Sequence, residues 1–236
     1  MAAVKKLVVF DIDGTLLDST KIDEDCFVRA LKDEYKVAHI DERWETYKSV
    51  TDGCVFEEIF EMTFSRKPTV PETRRMVRRF LLYIENSLNE QNGLINPIPG
   101  AGEILESLNG HPEWGIAVAS GGWRESALFK LRQAKLGIDG IPLVTSSEEK
   151  IREQIVSLSI EKAKAHYGVP GFEKIVSVGD AAWDVKAAKQ LELAFIGVGN
   201  ADRFKAFPGC KYVEHFEDRS RFLKYLDQAE VPRYTL

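Results

Sequence analysis

Short apolar runs that end abruptly on polar residues constrain this chain more than any other feature. "LVVF" runs into Asp11-Ile12-Asp13, "GIAVAS" into Ser120-Gly121-Gly122, and "KIVSVGD" into Asp180. "PLVT" and "AFIGVG" add two further runs, and stretches of helical spacing separate the runs beyond residue 100. Strands alternating with helices of about ten or more residues imply right-handed crossovers and a mainly parallel sheet. Strand termini in such a sheet lie on one edge, where open α/β sheets bind ligands. Two carboxylates two residues apart, at the end of a strand built for burial, are costly unless paired or bound to a metal.

Between the first run and the second, the rhythm is helical from about Ile22 to Asn92. Cys26, Phe27, Ala30, Leu31 and Tyr35 recur at helical spacing. A second helix is expected around Glu42 to Lys48 and a third around Val55, Ile59, Phe60 and Met62. Pro71 reads as an early helix position, with Val77, Phe80, Leu81, Ile84 and Leu88 on the apolar face. "NGLINPIPGAGE" marks the boundary where this stretch ends. Later helices are expected near Ala101 to Leu108, Glu125 to Leu136, Arg152 to Tyr167, Asp184 to Leu191 and Asp218 to Gln228. The chain thus reads as an α/β domain with an all-helical insert.

Composition narrows the function classes. The 236 residues suit one large domain or one with an insert. A net charge of −5 without a dominant basic patch argues against nucleic acid as the main partner. No apolar stretch approaches the roughly 20 residues that cross a bilayer, and Asp11 cuts short the apolar run near the N-terminus. Cys26, Cys54 and Cys210 show neither CxxC nor zinc spacing. They read as free thiols, and the expected location is cytoplasmic.

If the sheet is parallel, Asp11, Asp13, Ser120, the amides after it, Asp180, Asp184 and a cation near residues 150–152 converge on one edge. Carboxylates, a hydroxyl, free amides and a cation suit a Mg²⁺ ion, which favours oxygen ligands, and a phosphoryl group. Other readings of the same residues fit less well. A calcium loop starting at Asp11 would need Gly at its sixth position and Glu at its twelfth, but Gly14 is fourth and Ile22 twelfth. "GVGNAD" lacks the third glycine of a dinucleotide loop. His39, His111, His166 and His215 show no ligand spacing.

These motifs resemble those of the haloacid dehalogenase (HAD) superfamily: DxDGT at Asp11 to Thr15, the strand-ending Ser120, and GDxxxD at Gly179, Asp180 and Asp184. The resemblance implies a Rossmann-like α/β core of residues 1–18 and 96–236 and a smaller helical cap of 19–95. It implies a Mg²⁺-dependent phosphatase acting on a small phosphorylated metabolite, with a sugar-phosphate phosphomutase, or a weakly catalytic binding module, as the alternatives. Asp11 would be the nucleophile and Asp13 the general acid and base. Ser120, Gly121 and Thr15 would meet phosphoryl oxygens. Asp180 would bind Mg²⁺ with Asp11 and the backbone carbonyl of Asp13, and Asp184 would support the metal site. The acid at position 13 speaks against dehalogenase and phosphonate chemistry. The family's third motif, usually a Lys, is replaced by "SSEEKIREQIV", so Lys150 or Arg152 would supply the cation. Arg152 is favoured, because "RExIV" resembles a variant of some relatives and Arg binds two oxygens at once. "VTDGCVF" sits where the cap's substrate loop is expected, with Gly53 as its turn and Thr51 and Asp52 facing the site, or with Asp52 only capping a helix. Asp18 to Thr20 and Asn96 to Pro99 are the expected crossings between core and cap. Trp123 and Trp183, each beside a motif, read as packing residues or as pocket walls. The sequence leaves the oligomeric state open.

Overall fold

A computed structural model describes residues 4–90 and 95–233. The first strand, β1 (Lys6–Phe10), lies in the middle of a six-stranded sheet and pairs in parallel with β4 (Trp114–Ala119) on one side and β6 (Lys174–Gly179) on the other. Outward from β4 lies β5 (Leu143–Val144). Outward from β6 lie β7 (Ala194–Val198) and β8 (Lys211–Val213), and every pairing is parallel. This is the parallel α/β sheet that the alternating pattern predicts.

Period-two alternation sorts β1 between two cores. Val8 and Phe10 point into the larger one, Leu7 and Val9 into the smaller. Against the smaller core pack α6 (Arg152–Tyr167) and α7 (Ala182–Gln190). The larger holds α4 (Ala101–Leu108), α5 (Arg124–Gln133) and α8 (Arg219–Gln228). It continues without a break into the helical segment α1 (Thr20–Tyr35), α2 (Asp52–Phe64) and α3 (Val70–Glu90). Trp123 carries that continuity. Its indole stacks on Phe27 at 5.8 Å and meets Phe56 and Phe80 edge-on at 6.2 and 5.7 Å.

Two elements of this region depart from expectation, the first for a local reason. The helix expected over Glu42 to Lys48 is a single 3-10 turn at Trp44–Thr46. The Asp41 carboxylate accepts from the Arg43 N–H at 3.0 Å and from its guanidinium at 2.9 and 2.7 Å, and that local pairing competes with a helical start. The second departure is a short ribbon: β2 (Leu17–Asp18) pairs antiparallel with β3 (Asn96–Pro97). It joins the two crossings between sheet and helical segment. Of the boundary stretch 92–103, residues 92–94 lie outside the described residues.

Candidate active site

The polar strand ends meet as a parallel sheet requires. Asp11 continues the ladder, its N–H donating to Val178 O at 3.0 Å, so its side chain emerges beside the end of β6. Asp180 follows β6 directly, and Asp184 lies in the first turn of α7. Oxygen atoms of Asp11, Asp180 and Asp184 all lie within 4.8 Å of one another, and the three residues are 8%, 5% and 4% exposed. Gly14 makes this approach feasible. Its φ of +77° is in the left-handed region, and a Cβ there would collide with the Asp180 carboxylate.

Burial makes three ionised carboxylates expensive. Burial first, then the neighbouring Asp184, push Asp11 well above the ordinary carboxylate range, against the pull of Arg152. The same two causes push Asp180 up to about 7, opposed by Arg203 and Arg152. Arg152 Nη1 lies 2.8 Å from Asp184 Oδ1 and 3.5 Å from Asp11 Oδ1. Arg203 Nη1 lies 2.5 Å from Asp180 Oδ2. An all-oxygen, crowded acidic set of this kind fits a hard divalent cation such as Mg²⁺, which would relieve the mutual repulsion.

Asp13 is turned away from this trio. Its Oδ1 accepts from Ser19 Oγ at 2.5 Å and from Lys130 Nζ at 2.6 Å. Lys130, on α5, is fully buried and also pairs with Asp23 of α1. Burial alone would lower its pKa, but the charges of Asp13 and Asp23 outweigh that and raise it. The other oxygen of Asp13 faces the glycine turn. A Cβ on Gly122 would lie 3.4 Å from Ser120 Oγ, 3.6 Å from Asp13 Oδ2 and 3.7 Å from Asp52 Oδ2.

The remaining sequence candidates divide. Gly121, Gly122, Thr51, Asp52, Arg152 and Trp183 line a cavity of about 400 Å³ that also contains Asp11, Asp13 and Asp180. Ser120 borders the glycine turn, with Oγ accepting from the Gly122 N–H at 3.1 Å. Lys150 does not reach the carboxylates; it is half exposed and pairs with Glu57. Thr15 is fully buried, does not line the cavity, and its Oγ1 has no hydrogen-bond partner. Gly53 also lies off the cavity, where a Cβ would come 3.2 Å from Ser146 O, so it serves a close backbone approach. The cap of α2 is Thr51, whose Oγ1 accepts from Cys54 N–H at 3.3 Å and donates to Lys150 O at 2.5 Å. Asp52 is the first helical residue. It accepts from Trp123 N–H at 2.9 Å, and its own N–H donates to Gly121 O at 2.8 Å. Burial, then the charge of Asp23, hold its carboxyl well above the usual range.

Sequence reasoning missed Lys130 and Arg203. For Lys130 a signal exists: it falls on the stripe Ala127, Lys130, Leu131, which is buried in α5, and a lysine on an apolar stripe demands a partner. Arg203 sits in a 3-10 turn after β7 and carries no periodic signal.

A family model for haloacid dehalogenase-like hydrolases matches residues 8–198. Among solved structures, a hydrolase from Pseudomonas syringae is similar at 23% identity with a TM-score of 0.67, over 94% of this chain and 97% of that one. A β-phosphoglucomutase from Clostridium difficile is 18% identical with a TM-score of 0.66, over 97% and 98% of the two chains. A protein described as a predicted phosphoglycolate phosphatase from Haemophilus somnus is 20% identical with a TM-score of 0.61, over 94% and 99%. At these identities the likeness is one of fold. A search of curated protein sequences finds no match. With the family model spanning the sheet from β1 through β7, and both motif aspartates and GDxxxD inside it, the chain belongs to the haloacid dehalogenase-like hydrolases.

Proposed function

We propose that this hydrolase is a Mg²⁺-dependent phosphatase that cleaves a small phosphorylated metabolite through an aspartyl-phosphate on Asp11. The observation that carries the reading is the gathering of Asp11, Asp180 and Asp184 oxygens within 4.8 Å of one another, with Asp11, Asp13 and Asp180 lining one cavity. Asp11, Asp180 and Asp184 would hold the cation, which would keep Asp11 ionised and neutralise phosphoryl charge. A carboxylate oxygen of Asp11 attacks phosphorus, and the bond to the ester oxygen breaks. Asp13 gives its proton to the departing alcohol oxygen. It then takes a proton from a water whose oxygen attacks the phosphorus, the bond to Asp11 breaks, and inorganic phosphate leaves. The Gly121 backbone amide and the Arg152 guanidinium, both lining the cavity, would bind phosphoryl oxygens.

The test is phosphate release from a panel of phosphomonoesters with Mg²⁺, wild type beside Asp11→Asn. Losing the nucleophile should cost roughly 10³-fold or more in kcat. Equal release by the two proteins would overturn the assignment.

A further inference from the structure

The cavity lining comes from two chemically different sources. The α/β part supplies Asp11 and Asp180, together with Arg152 and Arg203, and each arginine is already held by a carboxylate of the metal-ligand set. The helical segment contributes Asp23, Glu24, Asp52, Phe27, Trp44 and Val55 to the lining, and Asp52 reaches the glycine turn, where it accepts from Trp123 N–H at 2.9 Å. Among the described residues, the helical segment contributes three carboxylates to the cavity and not one Lys, Arg or His. Lys130, fully buried, is shared between Asp13 and Asp23; its charge is felt at Asp52, but among the described residues no ammonium pairs with Asp52 or Glu24.

A phosphomonoester with its phosphoryl group at Asp11 would place its leaving group among these side chains. An alcohol carrying a carboxylate or a second phosphate would bring like charge to them, in a space where burial strengthens the repulsion. An alcohol carrying an ammonium meets complementary charge. The rings of Trp44 and Phe27 line the same cavity, and aromatic faces attract cations. Asp52 is also costly to keep ionised where it stands, since burial raises its carboxyl pKa, and a cationic ligand would offset that cost. Asp13 Oδ2 and Asp52 Oδ2 border the same Gly122, so an ester oxygen facing Asp13 is a short carbon chain away from Asp52.

We propose that the preferred substrate is the phosphomonoester of a short amino alcohol, its phosphoryl group at Asp11 and its ammonium between Asp52, Glu24 and the Trp44 ring. This rests on the phosphatase reading above and specifies its leaving group.

The experiment uses three phosphomonoesters of matched length whose far ends differ in charge: 2-aminoethyl, 2-hydroxyethyl and carboxymethyl phosphate. The enzyme is assayed with Mg²⁺ for kcat/KM. The expected order is amine, then hydroxyl, then carboxylate, with the amine ahead of the carboxylate by roughly 100-fold. Asp52→Asn and Glu24→Gln, two independent variants should one fail to fold, should each shrink the amine-to-carboxylate ratio by roughly 10-fold. A carboxylate ester cleaved as fast as the amine, a hydroxyl ester preferred over it, or a ratio unmoved in both variants would overturn the proposal. So would inactivity toward all three. The two readings fail separately: if another phosphomonoester is hydrolysed and Asp11→Asn abolishes that activity, the phosphatase stands and only the amino-alcohol assignment falls.

Discussion

Replacing Lys130 by methionine tests how the sheet and the helical segment are joined. Lys130 Nζ, fully buried, faces Asp13 on the β1 loop and Asp23 on α1, whose side chains are 19% and 15% exposed. Methionine has similar volume and shape, so little of the effect comes from a cavity. What remains is a pair of carboxylates that have lost their shared counter-charge. Removing one partner of a buried ion pair costs about 3–5 kcal/mol. For a chain of this size that is a fall in melting temperature of roughly 6–20 °C. Urea unfolding followed by tryptophan fluorescence provides the assay, since Trp123 lies in the packed aromatic cluster. Asp23→Asn in the Lys130→Met background should recover about 1–3 kcal/mol, because one of the two stranded charges is then gone. Were Lys130→Met to unfold within about 1 kcal/mol of wild type, or the double variant to be no better than the single, the bridge would carry no energetic consequence.

Two further outcomes follow from the same geometry. Lys150→Ala should change kcat less than about 2-fold and stability by at most about 1 kcal/mol, because its partner pair with Glu57 is solvent-exposed. Arg152→Ala should lower kcat by roughly 10²-fold or more in the phosphate-release assay. Equal effects would mean that the cation has been assigned to the wrong side chain. The second outcome concerns pH. Asp180, raised to about 7, binds its proton more firmly in the folded protein than in the unfolded chain. Its contribution to stability is therefore full below the unfolded carboxylate value near 3.8 and is lost as pH rises through 7. Metal-free wild type should lose more of its urea midpoint between pH 5 and pH 8 than Asp180→Asn, and saturating Mg²⁺ should reduce that loss. Parallel profiles would refute the linkage.

Much of the site can be read from sequence because the residues concerned end strands. An apolar run that stops on Asp11, Ser120 or Asp180 announces both the strand and its polar terminus, and parallel pairing brings the termini together. What could not be read depends on contacts between distant segments. Lys130 pairs across more than a hundred residues, to Asp13 and Asp23, so no local pattern identifies its partners. β8 is three residues long, too short for alternation to register. The ribbon of β2 and β3 is shorter still, and its partners are separated by the whole helical segment. The expected helix over Glu42 to Lys48 failed for the opposite reason, a purely local one: a carboxylate captured the backbone before a second turn could form.

That ribbon has an evolutionary and practical consequence. Leu17 stands opposite Pro97 and Asp18 opposite Asn96, so the chain leaves the sheet and returns to it at neighbouring points. Antiparallel partners sit about 5 Å apart, a gap that a tight turn can close. The intervening helices are in this sense a cassette: they could be exchanged or lengthened without rethreading a single strand of the sheet, and selection could remodel what the enzyme accepts while leaving the strand order untouched.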